Sequence, residues 1–264
     1  MSQTPDPFVI KGLAGQPIDL CKVIDAHGHL GEPPNFGLPE SSAASLVRVM
    51  DRLGIDLSCV SAMPALFGDA ARGNRIVETA MREFPQRFFG YMVADVGYPE
   101  LILPELERCL RSGFGGVKIW SYGAKPGLPY DHPNYRPVLE FANAHHLPVL
   151  AHTWGAELDQ LAPAIVAFPN ITWLMAHTAS SQKEKYIRFG KDNPNVYLEL
   201  CFSPCPRGLV EELVGAGLAG KLIFGSDSTF MSATQQIGRV LFAQVSPQDK
   251  EKILGQNAKR ALGL

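Results

Sequence analysis

The chain of 264 residues carries 24 Lys and Arg against 26 Asp and Glu, and 46% of its residues are hydrophobic. This composition argues against a nucleic-acid partner, because no basic excess exists to hold a phosphate backbone. It also argues against disorder and against membrane spans, since apolar residues are frequent but interrupted. We therefore expect a cytoplasmic protein with reduced thiols that acts on a small molecule.

Short β-branched runs alternate with amphipathic stretches along the chain, with Gly or Pro between them. This alternation predicts strands at 23–27, 57–62, 88–94, 116–120, 148–152, 172–177, 196–201 and 222–227. It predicts helices at 41–53, 72–84, 99–112, 134–146, 157–168, 182–192, 207–216, 232–244 and 247–262. Eight such units predict one α/β domain over residues 1–264, folded as a (β/α)8 TIM barrel. Residues 1–20 form an N-terminal extension, for which we expect a strand or a plug under the barrel.

Ligand-type side chains stand at the C-terminal ends of four predicted strands. His27 and His29 lie two residues apart, so both point to one face of the first strand. His152, His177 and Asp227 end the fifth, sixth and eighth strands. Because the strand ends of a closed barrel meet at one mouth, these five residues predict a site for one divalent metal ion. For His27 and His29 alone, two hydrogen-bonded loop histidines are an equal alternative.

Cys201 and Cys205 offer soft ligand atoms near the end of the seventh predicted strand. Prolines flank Cys205 on both sides, which favours a turn at the strand end over a metal site.

The sequence resembles the amidohydrolase superfamily, in particular the amidohydrolase-2 branch that includes the aminocarboxymuconate-semialdehyde decarboxylase-like enzymes. The resemblance covers nearly the whole chain and rests on the segments 25–31, 116–119, 147–153, 175–177, 224–227 and 253–262. It implies that zinc, or alternatively manganese, is bound by His27, His29, His152 and Asp227. His177 would be a further ligand or an acid and base, and Asp227 would also carry a proton. It also suggests a homodimer.

Lys118, on the fourth predicted strand, has three interpretations. In relatives with two metals, a lysine on this strand is carbamylated and bridges them. It could instead neutralise a substrate carboxylate, or reach out to solvent. No other acidic residue ends this strand, so we expect a single metal ion.

Further candidates for substrate contact follow other strands. The long segments 31–40 and 121–133 are rich in Gly and Pro and should lie over the mouth. Aromatic side chains there could form an apolar wall, and arginines could clamp a carboxylate. The candidates are Trp120, Tyr122, Trp154, Phe202 and Phe230 for the wall, and Arg72, Arg75 and Arg207 for the clamp.

Three functions compete. We favour hydrolysis of an amide, ester or lactone by metal-activated water, because this is the commoner chemistry of the superfamily. The alternative is non-oxidative decarboxylation of an aromatic or enol acid at the same metal site, with His177 protonating the carbon. A metal-binding barrel without catalysis is disfavoured, since all five ligand positions are retained.

Overall fold

A computed structural model of the chain describes residues 5–35, 37–122, 127–201 and 206–264. Eight parallel strands follow one another around a barrel, each paired with the next. They are β1 (Ile24–Leu30), β2 (Leu57–Ala62), β3 (Phe88–Met92), β4 (Gly116–Ile119), β5 (Val149–Ala151), β6 (Trp173–Met175), β7 (Val196–Glu199) and β8 (Leu222–Ile223).

The segment 224–228, which follows β8, closes the barrel by pairing with β1. The backbone amide of Ala26 donates to the carbonyl of Phe224 at 3.0 Å, and that of Asp227 donates to the carbonyl of His27 at 2.7 Å. A parallel bridge between Gly28 and Ser228 continues this contact. The predicted (β/α)8 barrel is confirmed.

Helices surround the barrel, and the short helix Met63–Leu66 lies at its mouth. In the described residues they are α1 (Pro7–Leu13), α2 (Ala43–Leu53), α3 (Met63–Leu66), α4 (Ala70–Glu83), α5 (Pro99–Arg111), α6 (Arg136–Ala144), α7 (Glu157–Ala167), α8 (Lys183–Asp192), α9 (Leu209–Gly215), α10 (Ala233–Leu241), α11 (Pro247–Glu251) and α12 (Asn257–Leu262). A π-helical turn at Lys252–Gln256 joins the last two. None of the described helices has the length and apolar character needed to cross a membrane.

The N-terminal extension contains a helix, so the strand offered as one alternative there is wrong. Asp6 caps α1 by accepting from the backbone amide of Phe8, and the side chain of Phe8 is buried. The buried ammonium of Lys250 donates to Asp6 and to the carbonyl of Leu241, which ties this segment to the last helices. The extension therefore packs against the flank formed by α10.

Apolar side chains fill the inside of the barrel below its mouth. This layer contains Ile24, Ala26, Cys59, Tyr91, Leu150, Leu174 and Ile223, all buried. A packed interior leaves no channel through a barrel of this size, so ligands can enter only from an end.

The predicted strand ends differ from those observed. β1 continues to Leu30, which places His27 and His29 inside the strand. By contrast β5, β6 and β8 stop at 151, 175 and 223, before their predicted ligands. His177 and Asp227 adopt φ values of 57° and 56°, in the left-handed region, and such a backbone cannot continue a strand. The chain turns at these residues and presents their side chains to the mouth.

Candidate metal centre

Three of the five predicted ligands converge at the mouth. One ligand atom each from His27, His29 and Asp227 lies within 4.8 Å of the others, and all three residues are buried. Asp227 Oδ1 is 3.0 Å from His29 Nε2 and 3.6 Å from His27 Nε2. The alternation of side chains along β1 and the closure of the barrel by residues 224–228 bring these groups together.

Hydrogen bonds behind the two histidines orient their rings. His27 Nδ1 lies 3.0 Å from Glu199 Oε2, and His29 Nδ1 lies 3.1 Å from Ser61 Oγ. The Glu199 carboxylate can only accept, so His27 Nδ1 carries a proton and the lone pair of its Nε2 faces Asp227. The Ser61 hydroxyl, by contrast, can accept from or donate to His29 Nδ1. This is the arrangement in which a carboxylate or hydroxyl orients a metal-binding histidine.

His152 pairs with His177 instead of joining that group. His177 Nδ1 is 3.0 Å from the carbonyl oxygen of Cys201, which can only accept, so this nitrogen carries a proton. His177 Nε2 therefore accepts from His152 Nδ1 at 3.1 Å. His152 Nε2 is left with a lone pair, buried and without a hydrogen-bond partner among the described residues. A buried unpaired acceptor is costly, and a metal ion or a substrate donor would satisfy it.

Burial sets the protonation of these groups. It lowers the pKa of His27, His152 and His177, which keeps the imidazoles neutral, the form that binds metals. Three imidazoles and a carboxylate suit zinc and do not exclude manganese, so the residues fit the predicted ion.

Lys118 is buried inside the mouth, so the interpretation that it reaches solvent is wrong. Its Nζ lies 2.9 Å from His27 Nε2. Burial lowers the pKa of Lys118 to about 8, which leaves its ammonium weakly favoured at neutral pH. Its place beside His27 is compatible with both remaining interpretations.

Glu199, which is fully buried at the end of β7, was not among the site residues expected from the sequence. Besides His27, it accepts from the backbone amide of Cys201 at 2.6 Å and from the Cys201 thiol at 3.0 Å. The sequence contained one signal for it, the position of an acidic residue between Leu198 and Leu200, because a charge inside an apolar strand needs a partner. Cys201 Sγ is 3.1 Å from His27 Nδ1, so this thiol also lies at the site, whereas Cys205 lies outside the described residues.

A cavity of about 600 Å³ opens above the cluster. Aromatic and aliphatic side chains form most of its wall, and His29, His152, His177, Asp227 and Lys118 form its polar end. The described apolar wall consists of Met63, Leu66, Phe67, Trp120, Tyr122, Trp154, Phe230 and Met231. The ring of Trp154 stacks on that of His177, with centroids 5.1 Å apart and planes at 6°.

The three arginine candidates are not among the described residues that line this cavity. Arg207 is exposed and is not among the described residues that line it. Arg72 and Arg75 are likewise exposed and outside that lining. Phe202 lies outside the described residues. Within the described lining, Lys118 is therefore the one Lys or Arg that can meet a substrate carboxylate.

Comparison with known proteins identifies the family. A family model described as Amidohydrolase matches residues 24–264, nearly the whole chain. The chain belongs to this amidohydrolase family. The resemblance drawn from the His-x-His segment and the strand-end residues is thereby confirmed.

Decarboxylases are prominent among the similar proteins. A gamma-resorcylate decarboxylase from Polaromonas sp. is 31% identical over 121 residues, which cover 40% of this chain and 37% of that enzyme. A 2,6-dihydroxybenzoate decarboxylase from Rhizobium has the same fold, with a TM-score of 0.77 and 16% identity over 92% of this chain and 99% of its own.

Two other solved structures share the fold. A dihydroxybenzoic acid decarboxylase from Polaromonas sp., with bound manganese and the inhibitor 2-nitroresorcinol, has a TM-score of 0.69 and 18% identity over 93% of this chain and 98% of its own. A probable 2-pyrone-4,6-dicarboxylic acid hydrolase from Acinetobacter baumannii, with citric acid bound, has a TM-score of 0.71 and 17% identity over 92% of this chain and 100% of its own. The homodimer, the cytoplasmic location and the choice of zinc stay predictions.

Proposed function

We propose that this amidohydrolase-family protein is a metal-dependent decarboxylase of a small hydroxylated aromatic acid. The observation that carries the proposal is the cavity, which joins a wall of aromatic rings to a polar end with one described cation, Lys118. Such a site fits a planar ring that bears a carboxylate and oxygen substituents. The names of the relatives support decarboxylation at least as well as the hydrolysis favoured from the sequence.

His27, His29, His152 and Asp227 would hold the divalent ion. Their fit rests on the converging Nε2 and Oδ1 atoms and on the unpartnered Nε2 of His152. When bound, the ion supplies positive charge that orients substrate oxygens and stabilises the negative charge that develops on them.

Decarboxylation breaks the bond between the ring and the carboxylate, and the ring carbon takes a proton as carbon dioxide leaves. Asp227 faces the cavity and can accept a proton from a phenolic hydroxyl and return it to the ring carbon. His177 Nε2 is engaged with His152 at 3.1 Å, so a proton from His177 would have to break this contact. We therefore assign the proton transfer to Asp227 first and to His177 second.

The other cavity residues bind and shield the substrate. Lys118 would pair with a substrate oxygen as a point charge, and Trp120 and Phe67 pack edge to face at 5.1 Å beside the polar end. Apolar walls exclude water and favour the conversion of an ion into neutral carbon dioxide.

Hydrolysis of a lactone is the second candidate, and the shared fold with the probable 2-pyrone-4,6-dicarboxylic acid hydrolase supports it. It would use the same metal ligands, with Asp227 as base for water.

Incubating the protein with one substrate of each type distinguishes decarboxylation from lactone hydrolysis. Protein loaded with zinc or manganese is incubated with 2,6-dihydroxybenzoate and, separately, with 2-pyrone-4,6-dicarboxylate. We expect resorcinol and carbon dioxide from the first, measured by chromatography and gas analysis, and no ring opening of the second. Asp227→Asn protein, prepared identically, controls for contaminating enzymes. Ring opening of the lactone without carbon dioxide release from a panel of hydroxybenzoates would establish the hydrolase instead.

A further inference from the structure

The segment that follows β4 is fastened to α7 on both sides of residues 123–126. Before them, the Tyr122 hydroxyl donates to Glu157 Oε1 at 2.7 Å. After them, the backbone amide of Tyr130 donates to Gln160 Oε1 at 3.0 Å. Glu157 and Gln160 are three residues apart, so they lie on one face of the helix. The first turn of α7 is thus the anchor for this segment.

Glu157 also holds the segment after β5. Its second oxygen, Oε2, accepts from the backbone amide of Trp154 at 2.7 Å. One carboxylate, only 2% exposed, therefore joins two segments that come from neighbouring strands. Oε1 accepts from the Tyr122 hydroxyl and Oε2 from the Trp154 amide, so each oxygen holds one of the two segments.

The two side chains that Glu157 connects are walls of the cavity. The rings of Tyr122 and Trp154 both pack edge to face against His152, at centroid distances of 6.2 and 5.1 Å. Tyr122 is 57% and Trp154 40% exposed, so part of each side chain faces solvent. The hydrogen bonds to Glu157 add to this packing and, for Trp154, to the stack on His177 and to the hydrogen bond from Ser181 to its carbonyl.

We propose that Glu157 is a positioning residue that fixes the aromatic walls formed by Tyr122 and Trp154 and so determines how well the cavity accepts a planar ring. The planar substrate rests on the proposed function, whereas the fixing of the walls does not. Among the described residues, Glu157 neither lines the cavity nor has a hydrogen bond to a proposed metal ligand, so it acts through the two rings.

The simpler alternative is that Glu157 only stabilises the start of α7. Its N-cap residue, Ala156, has no side-chain hydrogen bond to offer, and an acidic residue in the first turn favours a helix. This alternative predicts a loss of stability with unchanged walls. It also predicts no effect from Tyr122→Phe, which leaves the helix intact.

Four variants separate the two interpretations. Glu157→Ala removes both hydrogen bonds, and Tyr122→Phe removes one without changing the ring. Glu157→Gln can keep both, because its amide oxygen can accept from Trp154 and its amide nitrogen can donate to the Tyr122 oxygen. Asp159→Asn is the control, since it removes a carboxylate from the same turn that pairs with Lys185 on the surface.

The first measurement needs no substrate. Acrylamide quenching of tryptophan fluorescence reports the access of Trp154 as the difference between each variant and the same variant carrying Trp154→Phe, because the fully buried Trp173 and the half-buried Trp120 are present in both. We expect quenching of Trp154 to increase in Glu157→Ala and less in Tyr122→Phe. It should remain at the wild-type level in Glu157→Gln and Asp159→Asn.

The second measurement is KM and kcat on a hydroxylated aromatic acid that the enzyme converts. With two hydrogen bonds lost, KM should rise about tenfold in Glu157→Ala, and with one lost about threefold in Tyr122→Phe, while kcat changes less. Wild-type quenching in both Glu157→Ala and Tyr122→Phe would overturn the proposal. If Glu157→Ala does not fold, the KM of Tyr122→Phe decides alone, because this variant removes the hydrogen bond that fixes the Tyr122 ring. If no aromatic acid is converted, the proposed function fails, and quenching still tests the fixing of the walls.

Discussion

Replacing Glu199 with Gln changes one atom of a buried side chain, and we expect it to weaken metal binding. Oε1 accepts from the backbone amide of Cys201, and Oε2 accepts from His27 Nδ1. The backbone amide of His177 is also directed at Oε2, at 3.3 Å. Whichever way the amide group of Gln is turned, its NH2 faces an N–H donor. One buried donor is then left without an acceptor.

The cost can be estimated from this clash. An unsatisfied buried donor costs about 1–3 kcal/mol, so the metal-free variant should unfold at lower urea concentration. Loss of the group that orients a metal-binding histidine typically costs about 10- to 100-fold in metal affinity. Affinity is measured by competition with a chromophoric chelator, and stability by urea unfolding of chelator-treated protein.

Asp25→Asn is the matched comparison, because Asp25 is a second buried carboxylate of the same barrel. Its Oδ1 accepts from the backbone amides of Ser226 and His27, and its Oδ2 accepts from the hydroxyls of Ser226 and Ser58. The two hydroxyls can turn and accept from an amide NH2, so Asn at position 25 can keep its hydrogen bonds. Gln at position 199 cannot, because its NH2 faces N–H donors. If Glu199→Gln binds metal within threefold of wild type, Glu199 does not orient His27 and the reasoning fails.

Three other predictions follow from the site. His29→Ala should lose the metal in elemental analysis but keep the wild-type circular dichroism spectrum, because the packed core lies below the mouth; full metal occupancy would contradict the ligand assignment. Metal-replete Asp227→Asn should lose about 10²- to 10⁴-fold in turnover, and activity within threefold of wild type would move the proton transfer to His177. Burial raises the pKa of Asp25 to about 7, so its contribution to stability is fully present below its unfolded pKa and is lost as pH rises through about 7. Asp25→Asn has no such titration, so its free energy of unfolding should rise by about 3 kcal/mol relative to that of wild type between about pH 5 and about pH 8. If urea unfolding shows the same pH dependence for both proteins, the pKa of Asp25 is not raised.

The barrel and the positions of its ligand-type residues could be predicted from local patterns. Apolar runs of strand length ended by His152, His177 and Asp227 are visible in the sequence, and the convergence of strand ends is a property of the fold. The hydrogen-bond partner of each histidine nitrogen could not be predicted in this way. The pairing of His152 with His177 depends on how the chain turns after β5 and β6, and no periodicity encodes a turn.

The contact between Glu199 and His27 could not be predicted from local patterns either. Its partner His27 lies 172 residues away, and the contact exists only because both side chains reach the mouth of a closed barrel. Arg207 shows the opposite case, in which a residue suited to bind a carboxylate follows the correct strand but remains exposed. Residue type and strand position select candidates, and side-chain direction decides among them.

The end of β7 supports the proposed metal centre, although it supplies none of the proposed ligands. Glu199 accepts from His27, and the carbonyl of Cys201 accepts from His177, which in turn fixes the proton of His152. Three of the histidines are therefore oriented from this one strand end. Since His152 Nε2 keeps its unpaired lone pair only while this chain of hydrogen bonds is intact, substitutions near 199–201 should alter metal affinity even when every proposed ligand remains. The strength of the site is then set by the strand that supports the histidines as much as by the histidines themselves.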